Sequence, residues 1–100
     1  MRIAMILLLL VLAACASPSP EFLAAPRHDL QIDGIDFAVF QKANRAEVIR
    51  LGYFSRRDRE RVPGLMVQAA EQASGCRAIP FSLKTRVPGD TAEARINLKC

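Results

Sequence analysis

One histidine, a few serines and ten carboxylates are the groups in this 100-residue chain that could carry hydrolytic chemistry, and their spacing supports none of it. A Ser-His-Asp relay would combine His28 with Ser55, Ser74 or Ser82, yet no nucleophile motif surrounds any of these serines. Glycoside cleavage needs two carboxyl groups across an apolar cleft, one of them with a raised pKa. Asp33 instead belongs to a turn dipeptide, and Asp58 and Glu60 to the first turn of a helix. Zinc needs four ligands, which two thiols and a distant His28 do not supply. Gly34, Gly75 and Gly89 each serve a turn or a cap, so no glycine-rich phosphate loop exists. The expectation is a protein that is not an enzyme, with no catalytic residues, no cofactor, no metal and no evident small-molecule substrate.

Two groups of residues remain. Arg56, Arg57, Arg59 and Arg61 place four arginines within six residues, interrupted by Asp58 and Glu60. Guanidinium forks grip phosphates and carboxylates, so the run is a candidate site for an anionic partner, with Arg50 able to join it. The same run also reads as a solvated face with internal ion pairs, such as Asp58 with Arg61. The second group is the cysteines: Cys15, Cys76 and Cys100.

Cys15 closes an apolar stretch. Arg2 gives a positive start, Ile3 to Leu12 is unbroken apolar sequence, and Leu12-Ala13-Ala14-Cys15 comes next. The 14 residues from Ile3 to Ala16 are short of the about 20 that a membrane-spanning helix requires. Ala13, Ala14 and Ala16 also suit an ordinary secretory cleavage site. The arrangement most resembles the signal peptide and lipobox of bacterial lipoproteins. The resemblance implies a signal peptide over 1–14, acylation and a new N-terminus at Cys15, and membrane attachment outside the cytoplasm. Ala16 and Ser17, in place of an acidic residue, imply the outer membrane facing the periplasm rather than the inner one. Once Cys15 is acylated, Cys76 and Cys100 remain, and an oxidising compartment pairs them. The enclosed loop of about 25 residues is worth roughly 3 to 4 kcal/mol.

Residues 15–27 read as the lipidated cysteine and a proline-rich tether, extended at about 3.1 Å per residue, with Phe22 and Leu23 in loose contact with the domain. Residues 28–100 form that domain, one small unit. Its class is α+β: an antiparallel sheet in the order β-β-β-α-β-β packed against a single helix as a two-layer sandwich. Asp33-Gly34 between alternating apolar runs predicts a tight hairpin pairing Ile32 with Ile35, Leu30 with Phe37 and His28 with Val39. A three-residue or wider loop centred on Asn44 then pairs Val39 with Ile49, Phe37 with Leu51 and Ile35 with Tyr53, and leaves the opposite face wet. Val62, Leu65, Met66, Ala69, Ala70 and Ala73 form a helical stripe ending at Gly75. Ser55 and Asp58 resemble a capping box. Ile79, Phe81 and Leu83 alternate against Ala94, Ile96 and Leu98. A bulge at Ile79-Pro80 reconciles Ala78 opposite Leu98 with Phe81 opposite Ile96.

Together the lipobox, the tether, Gly75-Cys76 after the helix and the terminal Cys100 resemble small proteobacterial lipoproteins. Nucleic acid is not an expected partner, because no aromatic-studded basic strand exists to stack bases. The expected role is a lipid-anchored, non-enzymatic interaction or accessory module with an envelope protein as partner. The alternative is a periplasmic inhibitor of an enzyme such as lysozyme, acting through a protruding loop.

Overall fold

Asp33 and Gly34 both adopt left-handed backbone, φ 51° and 80°, which the commonest two-residue hairpin turn demands at both central positions. A computed structural model describes residues 18–52 and 56–100. Strands β1 (Arg27–Ile32) and β2 (Ile35–Lys42) pair antiparallel around this turn, with Ile32 opposite Ile35, Leu30 opposite Phe37 and His28 opposite Val39, as the sequence predicts.

The next turn differs from expectation. β3 (Arg45–Leu51) joins β2 through only two residues, Ala43-Asn44. Ala43 takes φ 53°, a conformation that disfavours a Cβ and that alanine does not signal in a sequence. Pairing shifts by one: Val48 faces Val39, Ile49 faces Ala38 and Arg50 faces Phe37, in place of Val39–Ile49 and Phe37–Leu51. Tyr53, expected opposite Ile35, lies outside the described residues. A one-residue shift exchanges the faces of a strand. Val48 and Ala46 therefore enter the main core, while Glu47 and Ile49 point to the other side.

Helix α1 (Val62–Ser74) buries Val62, Leu65, Met66, Ala69 and Ala70 against the sheet. Pro63 lies in the first turn, where its missing amide hydrogen costs nothing. Gly75, at φ 73°, donates its N–H to the Glu71 carbonyl at 2.9 Å and ends the helix. Arg56–Asp58 forms a separate 3-10 turn before it; Ser55 lies outside the described residues. The main core joins this stripe to Phe37, Val39, Ala46, Val48, Ala94, Ile96 and Leu98.

The last pair is narrower than the predicted hairpin. β4 is only Arg77–Ala78, against β5 (Glu93–Lys99). Ala78 faces Leu98 as expected, but Lys84 faces Arg95. The intervening chain makes a whole turn rather than a one-residue bulge. Phe81, expected opposite Ile96, is thrown fully into solvent at φ 61°. Pro80 has no N–H to give the ladder, and the chain leaves the strand there. Among the described residues the result is an α+β fold: one helix on a five-stranded antiparallel sheet, in the order β1-β2-β3-β5-β4. Cys76 and Cys100 are disulfide-bonded across its β4–β5 end, with Cα atoms 4.6 Å apart.

The face away from α1 is covered as well. Pro20–Phe22 forms a 3-10 turn instead of an extended tether. Phe22 is completely buried on Ala38, Phe40 and Ile49, a second apolar cluster behind the sheet. Residues 19–26 thus form a strap across the sheet, where the sequence predicts only loose contact.

Candidate functional site beneath the strap

The strap is held by a buried carboxylate. Glu47 is fully buried in the centre of β3. Its Oε1 accepts the Ser19 backbone N–H at 2.6 Å, and its Oε2 accepts the Ser19 hydroxyl. The Ser19 Oγ in turn accepts from Nη2 of Arg86 at 2.7 Å, and that guanidinium lies 4.0 Å from Glu47 Oε2. A buried carboxylate is costly unless it is hydrogen-bonded. Ser19 and Arg86 satisfy this one and thereby fix the position of the strap. Glu21 adds an ion pair with Arg45, and the Arg27 guanidinium stands 6.0 Å over the Phe40 ring.

A second carboxylate stands beside the first. Glu93, in β5, accepts the Arg86 backbone N–H at 3.3 Å and meets Arg95 Nε at 3.4 Å, a contact without hydrogen-bond alignment. Burial raises its pKa from 4.5 to about 7. A hydrogen bond to Glu47 and the repulsion between the two carboxylates push it the same way, while Arg86 and Arg95 oppose them. Near neutral pH Glu93 can therefore hold a proton beside the Glu47 carboxylate. A protonated carboxyl near a serine hydroxyl has the elements of acid–base chemistry. Here, however, both carboxylates are buried, and the Ser19 hydroxyl is spent on Glu47 and Arg86. The arrangement acts as a clamp.

The residues singled out by sequence lie elsewhere. Cys15 is outside the described residues. Cys76 and Cys100 are bonded to each other. Arg56, Arg57 and Arg59 are exposed and make no ion pair among the described residues. Arg61 differs from them: its Nε meets Asp58 at 2.7 Å and its Nη1 meets Asp33 at 3.4 Å, which ties the start of the helix to the first hairpin. Arg50 donates to the carbonyls of Thr91 and Gly52 at 3.0 and 2.9 Å and so braces the end of β3 rather than adding a free fork to the cluster. Arg59 and Glu60 line a groove of ≈ 440 Å³ between the helix start and Leu83, Thr85 and Asp90. His28 is exposed on the edge strand β1. Among the described residues no group of histidine, cysteine and carboxylate side chains could hold a metal, and no helix is long and apolar enough to cross a membrane.

Ser19, Glu47, Arg86 and Glu93 are the residues that sequence reasoning missed. One signal was present: Glu47 stands alone among Ala46, Val48 and Ile49, and a lone carboxylate in an apolar strand implies a buried partner. No protein-family model, no curated protein and no solved structure matches the chain.

Proposed function

We propose that the protein is a lipid-anchored component of the bacterial envelope, attached through acyl chains on Cys15, that acts as a non-catalytic interaction or accessory module. The observation that carries this reading is the use of the thiols. Cys76 and Cys100 are consumed by each other, and the one cysteine left over stands at the end of an apolar run in Leu12-Ala13-Ala14-Cys15. Two or more acyl chains make attachment stable, because each buried methylene contributes about 0.8 kcal/mol. Ala16 and Ser17 favour the outer membrane, facing the periplasm. The non-catalytic part of the reading is supported by the fate of the ionisable groups beneath the strap, which hold the structure together. The exposed Arg56, Arg57 and Arg59 are then available to an anionic envelope partner.

Intact-mass spectrometry of protein from its native host tests the anchor. The expected product begins at Cys15 and carries acyl groups, and Cys15→Ser abolishes acylation. A product that starts elsewhere, or bears no acyl group, overturns the reading. Cross-linking in intact cells tests the partner. A specific envelope protein is expected among the adducts, and replacing Arg56, Arg57 and Arg59 by serine reduces its yield.

A further inference from the structure

Two pairs of like charges face each other at one side of the sheet. Arg77 lies directly opposite Lys99 across β4 and β5, and Lys84 lies directly opposite Arg95. Directly opposed residues share a face and repel when their charges match. Ala78 and Leu98, their neighbours, belong to the helix side, so Arg77 and Lys99 project from the strap side. Lys84 does so too, because Arg95 is in turn opposite the buried Glu47. Arg86 joins them beside Ser19. Arg77, Lys84, Arg86 and Lys99 are all exposed. Of the carboxylates on that face, Glu47 and Glu93 are buried beneath the strap, and Glu21 is paired with Arg45.

Between the two cationic pairs the chain projects Phe81, which is fully exposed in a left-handed conformation and flanked by the partly exposed Ile79; Val87 is exposed just beyond Arg86. Cations on a sheet edge also discourage edge-to-edge aggregation. That purpose needs one charge per strand and gives no reason for an exposed phenylalanine.

The direction of the N-terminal chain selects the partner. Ser19 is pinned over Glu47, two strand spacings from Lys84, or roughly 10 Å. Cys15 lies three positions before Pro18, a reach of at most about 11 Å. We infer that this cationic edge, with Phe81 at its tip, docks on the anionic lipid surface in which Cys15 is anchored, so that the domain lies against the bilayer instead of standing off on a tether. The inference takes its orientation from the acyl-anchor reading. Phosphate groups meet Arg77, Lys84, Arg86 and Lys99, while Phe81 enters the interfacial layer, where apolar side chains flanked by basic ones bind.

The chain has no tryptophan, so Phe81→Trp supplies a single reporter. Gln68→Trp, at an exposed position on α1, serves as the control. The full-length protein is purified from its host, its acylation is read by intact mass, and it is reconstituted into mixed phosphatidylglycerol–phosphatidylethanolamine vesicles containing brominated lipid. The expected result is blue-shifted emission and quenching for the reporter at position 81, neither for the one at position 68, and loss of both when Arg77, Lys84 and Lys99 become glutamine. Arg86 is left in place because it also holds Ser19. If the protein proves not to be acylated, the anchor reading fails, and the same variants are added to vesicles from solution. The Phe81→Trp variant should then still bind, weakening about fivefold per charge removed. Solvent-like, unquenched emission from the Phe81→Trp variant on anionic vesicles overturns the inference whether or not acyl chains are present. Emission that is shielded only by a co-purifying envelope protein also overturns it, and assigns the loop to a protein partner.

Discussion

Replacing Phe22 by alanine tests whether the strap is part of the folded domain. Phe22 is fully buried, its cover is the sheet face of Ala38, Phe40 and Ile49, and a buried phenylalanine truncated to alanine typically costs about 3 to 5 kcal/mol. The strap is a single layer that can lift away, so about 3 kcal/mol is the expected loss. Lifting also strips Glu47 of both Ser19 hydrogen bonds. Ser19→Ala alone, which removes one charge-assisted bond, should cost about 1.5 to 3 kcal/mol. If the strap docks as a unit, the second substitution finds it already detached. The double variant should therefore cost less than the sum of the two singles, with a coupling of about 1 kcal/mol or more. Urea unfolding of the four proteins provides the measurement, with the slope of free energy against urea checking that unfolding remains two-state. A loss below about 1 kcal/mol for Phe22→Ala, or strict additivity, would refute a cooperatively docked strap.

Three other perturbations have signs set by the structure. Glu93 holds its proton more tightly when folded, at about 7, than at its ordinary value of 4.5. The native state therefore binds more protons between those pH values. Its contribution is complete below about pH 4.5 and is lost as the pH rises through about 7, on the order of 1 to 3 kcal/mol. Glu93→Gln should flatten that part of the stability–pH curve, and an unchanged slope in denaturant titrations at several pH values would count against it. Reduction of Cys76–Cys100, which are 24 residues apart in sequence, should remove about 3 to 4 kcal/mol and lower Tm in calorimetry; indifference to reductant would contradict the bond. Ala43→Gly relieves a left-handed alanine at φ 53° and should stabilise the protein by about 1 kcal/mol in the same urea assay. A destabilisation there would mean that the two-residue turn is wrong.

What could be read from the sequence depended on whether the chemistry was local. Asp33-Gly34 announces its own turn, so the β1–β2 register was legible residue by residue. The stripe from Val62 to Ala73 and the stop at Gly75 were legible for the same reason: helix periodicity and the left-handed cap are nearest-neighbour effects. Ala43 announces nothing, because its conformation is imposed by the pairing on either side of it, and the misplaced turn carried β3 over by one residue. That slip also hid the second apolar cluster, since a wet face was expected where Phe40 and Ile49 needed a cover. The cover, Phe22, was obscured by its surroundings: prolines at 18, 20 and 26 suggest an extended chain, while the contacts that fold it back come from distant β2 and β3. Phe81 illustrates the reverse case. Its alternation with Ile79 and Leu83 imitates a strand, but Pro80 withholds the amide that a ladder would use.

The clamp between Ser19 and Glu47 has a mechanical consequence. A pull on the N-terminal end of the domain is borne in series, first by the Ser19 bonds, then by Phe22 in its seat, and only afterwards by β1. The strap therefore yields before the sheet does, releasing the slack of residues 19–26, about 25 to 30 Å of contour, while the helix layer and the disulfide-tied end carry no load. Because these contacts are noncovalent, nothing in them prevents the strap from docking again once the tension passes.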